Sequence, residues 1–152
     1  MLAAAAAPCF TKRKDFPYGT DRAVVDDLIA QTYADRPSML RNFSEIFFLD
    51  HKRLSSEFKI WNLSLGLSAS SYATIQCAME LRDADLRSDL STIGVPTLIL
   101  HGVEDRICLF DLAKAMNKGI KGSQLISIEK AGHGFYYEKR ETVNSELVRF
   151  IG

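Results

Sequence analysis

The chain has 152 residues, 47% hydrophobic and 25% charged, which suits one soluble globular domain with a substantial core. Lys plus Arg and Asp plus Glu number 19 each, so the formal net charge is zero. No basic excess exists to neutralise phosphates or anionic lipid, which argues against nucleic-acid binding and against a membrane role; charge also does not oppose self-association.

Leu2 to Ala7 is a short apolar run closed by Pro8. Alanine favours helix, but so short a run before proline makes a poor isolated helix. A buried strand of small residues is the alternative, and periodicity does not separate the two. The run has no basic leader and is too short for a secretory signal. No segment reaches the roughly 18–20 apolar residues of a membrane span, and a cytoplasmic location is expected. Cys9, Cys77 and Cys108 are odd in number and lack metal-ligand spacing, so free thiols in a reducing compartment are expected, with no metal and no cofactor. Residues 10–20, with Lys12, Arg13, Lys14, Pro17 and Gly19, read as an exposed loop.

From Asp21 to about Leu90 the pattern is helical. Asp21 is placed to cap a helix with Val24, Val25, Leu28, Ile29 and Tyr33 on one stripe. Pro37 ends that helix and starts another bearing Met39, Leu40, Phe43, Ile46, Phe47 and Phe48. A third segment holds Phe58, Ile60, Trp61, Leu63 and Leu65. Ser70 or Ser71 opens a fourth, through Tyr72, Ile75, Cys77, Ala78 and Leu81. The aromatic group Phe43, Phe47, Phe48 and Trp61 reads either as core or interface, or as the lining of an acyl pocket.

The texture changes at Ile93. Val95 to Leu100 is a β-rich run ending in His101-Gly102, followed by the polar loop Glu104-Asp105-Arg106. Leu109 to Ile120 is an amphipathic helix with Leu112, Ala113 and Met116 inward. Gln124 to Glu129 is a second strand, Ala131 to Gly134 a loop, and Glu138 to Ile151 a closing helix. Strand, loop, helix, repeated, is the rhythm of a parallel sheet covered by helices, so the fold class is α/β.

Asp105 and His133 each follow a strand, where α/β proteins place their sites. A crossover between the strands brings their loops side by side. A carboxylate on one imidazole nitrogen fixes the tautomer and leaves the other nitrogen as a base. Gly132 and Gly134 permit sharp turns around the histidine. The alternative is an unrelated Asp and His in two surface loops. His101 is expected to make a structural hydrogen bond and His51 to lie on the surface. Cys108 shows no feature that would lower its pKa.

The run Asp85 to Leu90, followed by Ile93-Gly94-Val95-Pro96-Thr97-Leu98-Ile99-Leu100-His101-Gly102-Val103-Glu104-Asp105-Arg106, resembles the segment leading out of the cap of α/β-hydrolases. It is most similar to the esterase and cofactor-free haloperoxidase group. The resemblance makes Asp105 the triad acid and His133, in its Gly-His-Gly run, the triad histidine. Asn144 to Phe150 resembles the last helix of that fold, and Leu2 to Gly19 the strand and loop after the nucleophile's helix. The expected division is residues 1–20 and 91–152 as a partial hydrolase core, with residues 21–90 as an inserted helical cap. Cys108 and Gly132 stand where the family commonly has proline.

The family's nucleophile sits in a Gly-x-Ser-x-Gly elbow, and these residues contain none. The best imitation is Gly66-Leu67-Ser68-Ala69-Ser70. That makes Ser68 a nucleophile candidate, although the resemblance puts it in the cap, where a helix-start or packing serine is expected. The resemblance therefore implies ester-type hydrolysis with an ester-like small molecule as substrate, and incomplete machinery in this chain alone. An open strand edge at Leu2 to Ala7 would favour a homo-oligomer, or an N-terminal half supplied in trans. The alternative function is a non-catalytic module that dimerises or binds a partner through its aromatic helices.

Overall fold

The structure, a computed structural model, describes residues 1–152. Three parallel strands, β1 (Leu2–Ala3), β2 (Leu98–Gly102) and β3 (Gln124–Ile128), form a sheet in the order β1–β2–β3. Leu2 and Ala3 pair with Ile99 and Leu100, and β3 runs in register with β2 from Leu98–Gln124 to Gly102–Ile128. The central strand is buried at every residue, which is why it reads as a continuous apolar run.

Period-two alternation divides β2 between two covering layers. Leu98 and Leu100 pack with Ile128, Phe135 and Val143, under the short helix α5 (Phe135–Glu138) and α6 (Arg140–Ile151). Ile99 packs on the opposite face with Ala113, Met116 and Ile120, against α4 (Phe110–Gly119). Burying such side chains contributes about 1.5–3 kcal/mol each, so this three-layer stack holds the strand ends, and the loops that leave them, in place.

The strand begins later than its sequence predicts. Pro96 has no N–H to give a ladder, Val95 is exposed, and pairing starts at Leu98. Leu2 to Ala7 resolves as a strand of only two residues, because Ala4 turns into the left-handed region (φ 44°). The Ala4 N–H still donates to the Leu100 carbonyl at 3.0 Å. β1 pairs only with β2, so its outer edge is open. The closing helix predicted from Glu138 to Ile151 is α6, starting at Arg140; Lys139 (φ −129°, ψ 38°) separates it from the short α5, which the sequence did not signal.

Residues 22–83 are mostly helical. The two helices expected around Pro37 form one kinked element, α1 (Arg22–Phe47), with Asp35 non-helical at the kink. The Asp35 carboxylate accepts from the Ser38 N–H at 3.1 Å and the Ser38 hydroxyl at 2.6 Å, capping the second half where Pro37 has no N–H. Asp21 stands at the N-cap but makes no capping bond; it pairs with Lys12 at 3.0 Å instead. α2 (Ser56–Ser68) and α3 (Ser71–Asp83) are capped by Ser55 and Ser70, whose hydroxyls accept from Phe58 and Ala73. No helix is long and apolar enough to cross a membrane.

The segment 10–20 departs from the exposed loop expected of it. Phe10 and Phe16 are buried and join Val25, Ile29, Ile75 and Leu112 in the core that ties α1 and α3 to the α4 side of the sheet. Its charges mark the rim of the segment, while its aromatic residues point inward.

Candidate active site

Asp105 leaves the end of β2 and is fully buried at its side chain. One oxygen, Oδ1, accepts from the N–H groups of Ile107 (2.8 Å) and Cys108 (3.0 Å). The other, Oδ2, lies 2.8 Å from His133 Nδ1 and 3.3 Å from His101 Nε2. Burial alone would push this carboxyl up. The hydrogen bonds from His101 and His133, the attraction of His133 and the Ile107 N–H outweigh it and hold the group at about 2. Asp105 is therefore ionised at neutral pH and accepts only. His133 Nδ1 must carry the proton, leaving Nε2 as the basic nitrogen with no hydrogen-bond partner.

His101 follows Ile99 on the α4 face of β2 and is completely buried. Its Nε2 contacts the Cys108 carbonyl at 2.6 Å. A carbonyl only accepts, so Nε2 carries a proton, while Nδ1 is buried and unpartnered. The structural hydrogen bond expected of His101 thus belongs to the acid's own loop, closing the turn that aims Asp105. His51 lies in a short 3₁₀ turn, His51–Arg53, half-buried and remote in contact from this group.

The histidine loop follows β3. Gly132 and Gly134 do not have positive φ there, contrary to the sharp-turn reading; they are needed for space. A Cβ on Gly132 would lie 2.8 Å from the Leu49 nitrogen, and one on Gly134 would lie 2.3 Å from the Phe48 ring. The exit of α1 is thus pressed against the loop. The Gly134 N–H donates to the Phe47 carbonyl at 2.8 Å, and the Phe47 ring meets the His133 ring edge-on at 4.8 Å.

Two carboxylates that the sequence did not single out pin this loop. Glu104 accepts from the Ala131 N–H at 3.1 Å and donates its own N–H to the Ala131 carbonyl at 3.2 Å. Glu138 accepts from the N–H groups of Gly132 (2.8 Å) and Leu49 (2.7 Å). The only signal for Glu104 was its place beside the acid, and Glu138 looked like an ordinary helix residue.

Ser68 is the last residue of α2, and its hydroxyl donates to the Leu65 carbonyl at 2.7 Å, not to the imidazole. The segment imitating an elbow is helix end and turn, with no strand before it. Cys108 is buried, and burial together with the Asp105 charge pushes its thiol far above the usual range, so it holds no thiolate for attack. Asp105, Cys108 and His133 bring ligand atoms within 4.8 Å of one another. The carboxylate–imidazole bond already occupies Oδ2 and Nδ1, and burial keeps the Cys108 thiol protonated.

The aromatic group divides. Phe48 is buried, Phe47 touches His133, and Trp61 is exposed. Phe43 packs edge-on against Phe47 and also lines an apolar groove of about 270 Å³ with Phe10, Met39, Ile46, Leu81 and Ile107. The groove thus touches Ile107, two residues past Asp105, and Phe43, which packs on the Phe47 ring beside His133.

A family model described as TAP-like protein, of the α/β-hydrolase type, matches residues 68–152. The chain is 48% identical over 150 residues to the AB hydrolase superfamily protein YisY of Bacillus subtilis, covering 99% of this chain and 55% of that protein. It is 35% identical to a putative non-heme chloroperoxidase of Synechocystis, over 99% of this chain and 56% of the relative. Its fold superposes on an esterase from Exiguobacterium antarcticum with a TM-score of 0.94 at 46% identity, covering 99% of this chain and 55% of the esterase. The chain therefore spans about half the length of the relatives it matches. Strand order and these matches agree: the chain belongs to the α/β-hydrolase superfamily, as the C-terminal part of that fold.

Proposed function

We propose that this chain supplies the acid and the general base of an ester-hydrolysing α/β-hydrolase, Asp105 and His133, and that the nucleophile lies outside these 152 residues. The observation that carries the reading is the 2.8 Å bond from His133 Nδ1 to a buried, ionised Asp105, with Nε2 left free. In the reaction, Nε2 takes the proton of an attacking hydroxyl as its oxygen bonds to the ester carbonyl carbon. It returns that proton to the departing alcohol, then repeats the exchange with water to release the acid. Asp105 stabilises the imidazolium formed in between. The nucleophile and the oxyanion-hole amides come from the segment that the longer relatives possess and these residues do not.

Residues 1–20 and 91–152 form the core part in this reading, and residues 21–90 the cap. The groove beside Phe43 and Ile107 would hold the apolar part of an ester-like small molecule. No cofactor, resident metal, nucleic acid or membrane enters the scheme, and the free thiols fit the cytoplasm. The open edge of β1 supports completion by an N-terminal half in trans or by a second copy. Light scattering coupled to size exclusion decides between a monomer and an assembly.

The activity test uses a short-chain aryl ester. The chain alone is expected to be silent. Mixed with the N-terminal remainder of a close relative, it should gain turnover that His133→Ala abolishes. Robust, His133-dependent turnover by the chain alone would sink the missing-nucleophile reading and bring Ser68 forward.

A second reading rests on α2, which buries none of its residues and exposes Ile60, Trp61 and Leu65. It makes the chain a non-catalytic module that dimerises or binds a partner through that face. Association that persists after Asp105 and His133 are replaced, with no activity on complementation, would favour it.

A further inference from the structure

We propose that Glu138 is a positioning residue that locks the histidine loop to the exit of α1, so that the helical segment sets where His133 stands. The inference rests on His133 being the general base. Its geometry is independent of that reading.

The carboxylate of Glu138 bridges two distant pieces of chain. Oε1 accepts from the Leu49 N–H at 2.7 Å and lies 3.4 Å from the Asp50 nitrogen; Oε2 accepts from the Gly132 N–H at 2.8 Å. Leu49 is 89 residues from Glu138, at the point where the chain has just left α1. Gly132 directly precedes His133. One side chain thus satisfies a donor on each side of the joint, and charge-assisted bonds of this kind are the strong ones.

Two further contacts cross the same joint. The last residue of α1, Phe47, has its carbonyl satisfied by the Gly134 N–H at 2.8 Å, a helix-end acceptor capped by the histidine loop. Its ring lies edge-on to His133. The residues on either side of His133 are therefore both tied to the α1 exit, one directly and one through Glu138. From the opposite side, Glu104 ties Ala131 to the acid's loop. A shift of the α1 exit has to carry the imidazole with it or break these bonds, whereas Asp105 is held by its own turn and stays.

The substitution Glu138→Gln tests this in the chain as it exists. Glutamine keeps the shape but offers one acceptor oxygen, so its NH₂ must face either Gly132 or Leu49, donor against donor. Amide hydrogen exchange should accelerate by at least about tenfold at Gly132, Leu49 or both. The ring-nitrogen NMR shifts of His133 should move with it, while the Asp105-bonded amides of Ile107 and Cys108 keep their protection. Glu104→Ala, which removes the carboxylate that accepts from the Ala131 N–H, should loosen Ala131 without touching Leu49. Unchanged His133 shifts in a folded Glu138→Gln variant would reduce Glu138 to a structural cap and overturn the proposal. Loss of the whole fold would also overturn it, by making Glu138 a folding residue. Neither readout uses turnover, so failure of the ester-hydrolysis reading would show separately, in the complementation assay.

Discussion

β2 and α2 differ as sharply as two elements of one chain can. Every residue of β2 is buried, and no residue of α2 is. The strand is fixed by layers on both faces and a partner on each edge, so the loop leaving it can hold a buried charge in a definite place. The helix rests on α1 where Gly66 meets Leu40 and Arg36 reaches the Gly66 carbonyl at 2.8 Å, and its Phe58 packs on Phe48 and stacks on Tyr137 of α5 at 4.1 Å. Its other side is open. Rigidity is concentrated in the sheet; the helical segment joins it through the core of Val25, Ile29, Ile75 and Leu112, and meets the histidine loop where Phe47 to Asp50 press against Gly132 to Glu138.

The largest expected effect separates these two regions directly. Leu100→Ala removes a fully buried side chain from the middle of β2 and should cost about 2–5 kcal/mol in urea unfolding. Ile60→Ser, on the open face of α2, should stay within about 0.5 kcal/mol. Equal costs would mean that α2 is covered by something in solution, such as a second copy. Gly132→Ala comes next, at about 1–3 kcal/mol, because the added methyl has only backbone to push against at Leu49. A neutral Gly132→Ala would show that the joint gives way easily, and that the α1 exit does not hold the histidine loop as firmly as the sheet holds its own strand ends.

How legible each region was follows from the range of the forces that shape it. The β2 run, the β3 run and the loops holding Asp105 and His133 were readable because period, apolar content and turn residues are local, and because a family-like motif covers them. The kink at Asp35 was half readable: Pro37 signalled a break, but only the Asp35–Ser38 bonds show how the chain passes through it as one element. Phe10 and Phe16 were hidden in a loop whose charged residues outvoted them in any local window. Glu138 was invisible for a stronger reason. Its partners are a glycine amide beside it and a leucine amide far upstream, and backbone donors leave no trace in a sequence.

Asp105→Asn probes the rigid side by charge alone. The amide can still accept from Ile107 and Cys108, but its NH₂ then faces the His101 ring N–H and forces the His133 proton to Nε2, at a cost of about 1–3 kcal/mol. The pH dependence has a definite sign. Asp105 is held at about 2 in the fold, below its ordinary value of 3.8. Its contribution is complete above the ordinary value and is lost as pH falls through about 2. Other acids titrate in the same range, so the informative quantity is the difference between the two proteins. Their gap in urea midpoint should be widest at neutral pH and narrow as the solution approaches pH 2. A gap that does not shrink in acid would mean that the Asp105 charge contributes nothing to stability.

The smallest effect is on reactivity, and it compares two cysteines. Cys77 lies exposed on α3, while Cys108 is buried beside Asp105 with its thiol pushed up. A thiolate-selective disulfide reagent should label Cys77 quickly and leave Cys108 untouched until the chain unfolds. Cys9 is buried as well and donates its thiol proton to Asp85 at 3.0 Å, so it too should stay silent. One fast thiol in the native chain and all three in urea is the expected count. Early labelling of Cys108, read by mass spectrometry of the peptide that carries it, would mean that the acid's loop opens to solvent. Asp105 would then be solvated part of the time, and the rigid half of the molecule would be less rigid than its burial implies.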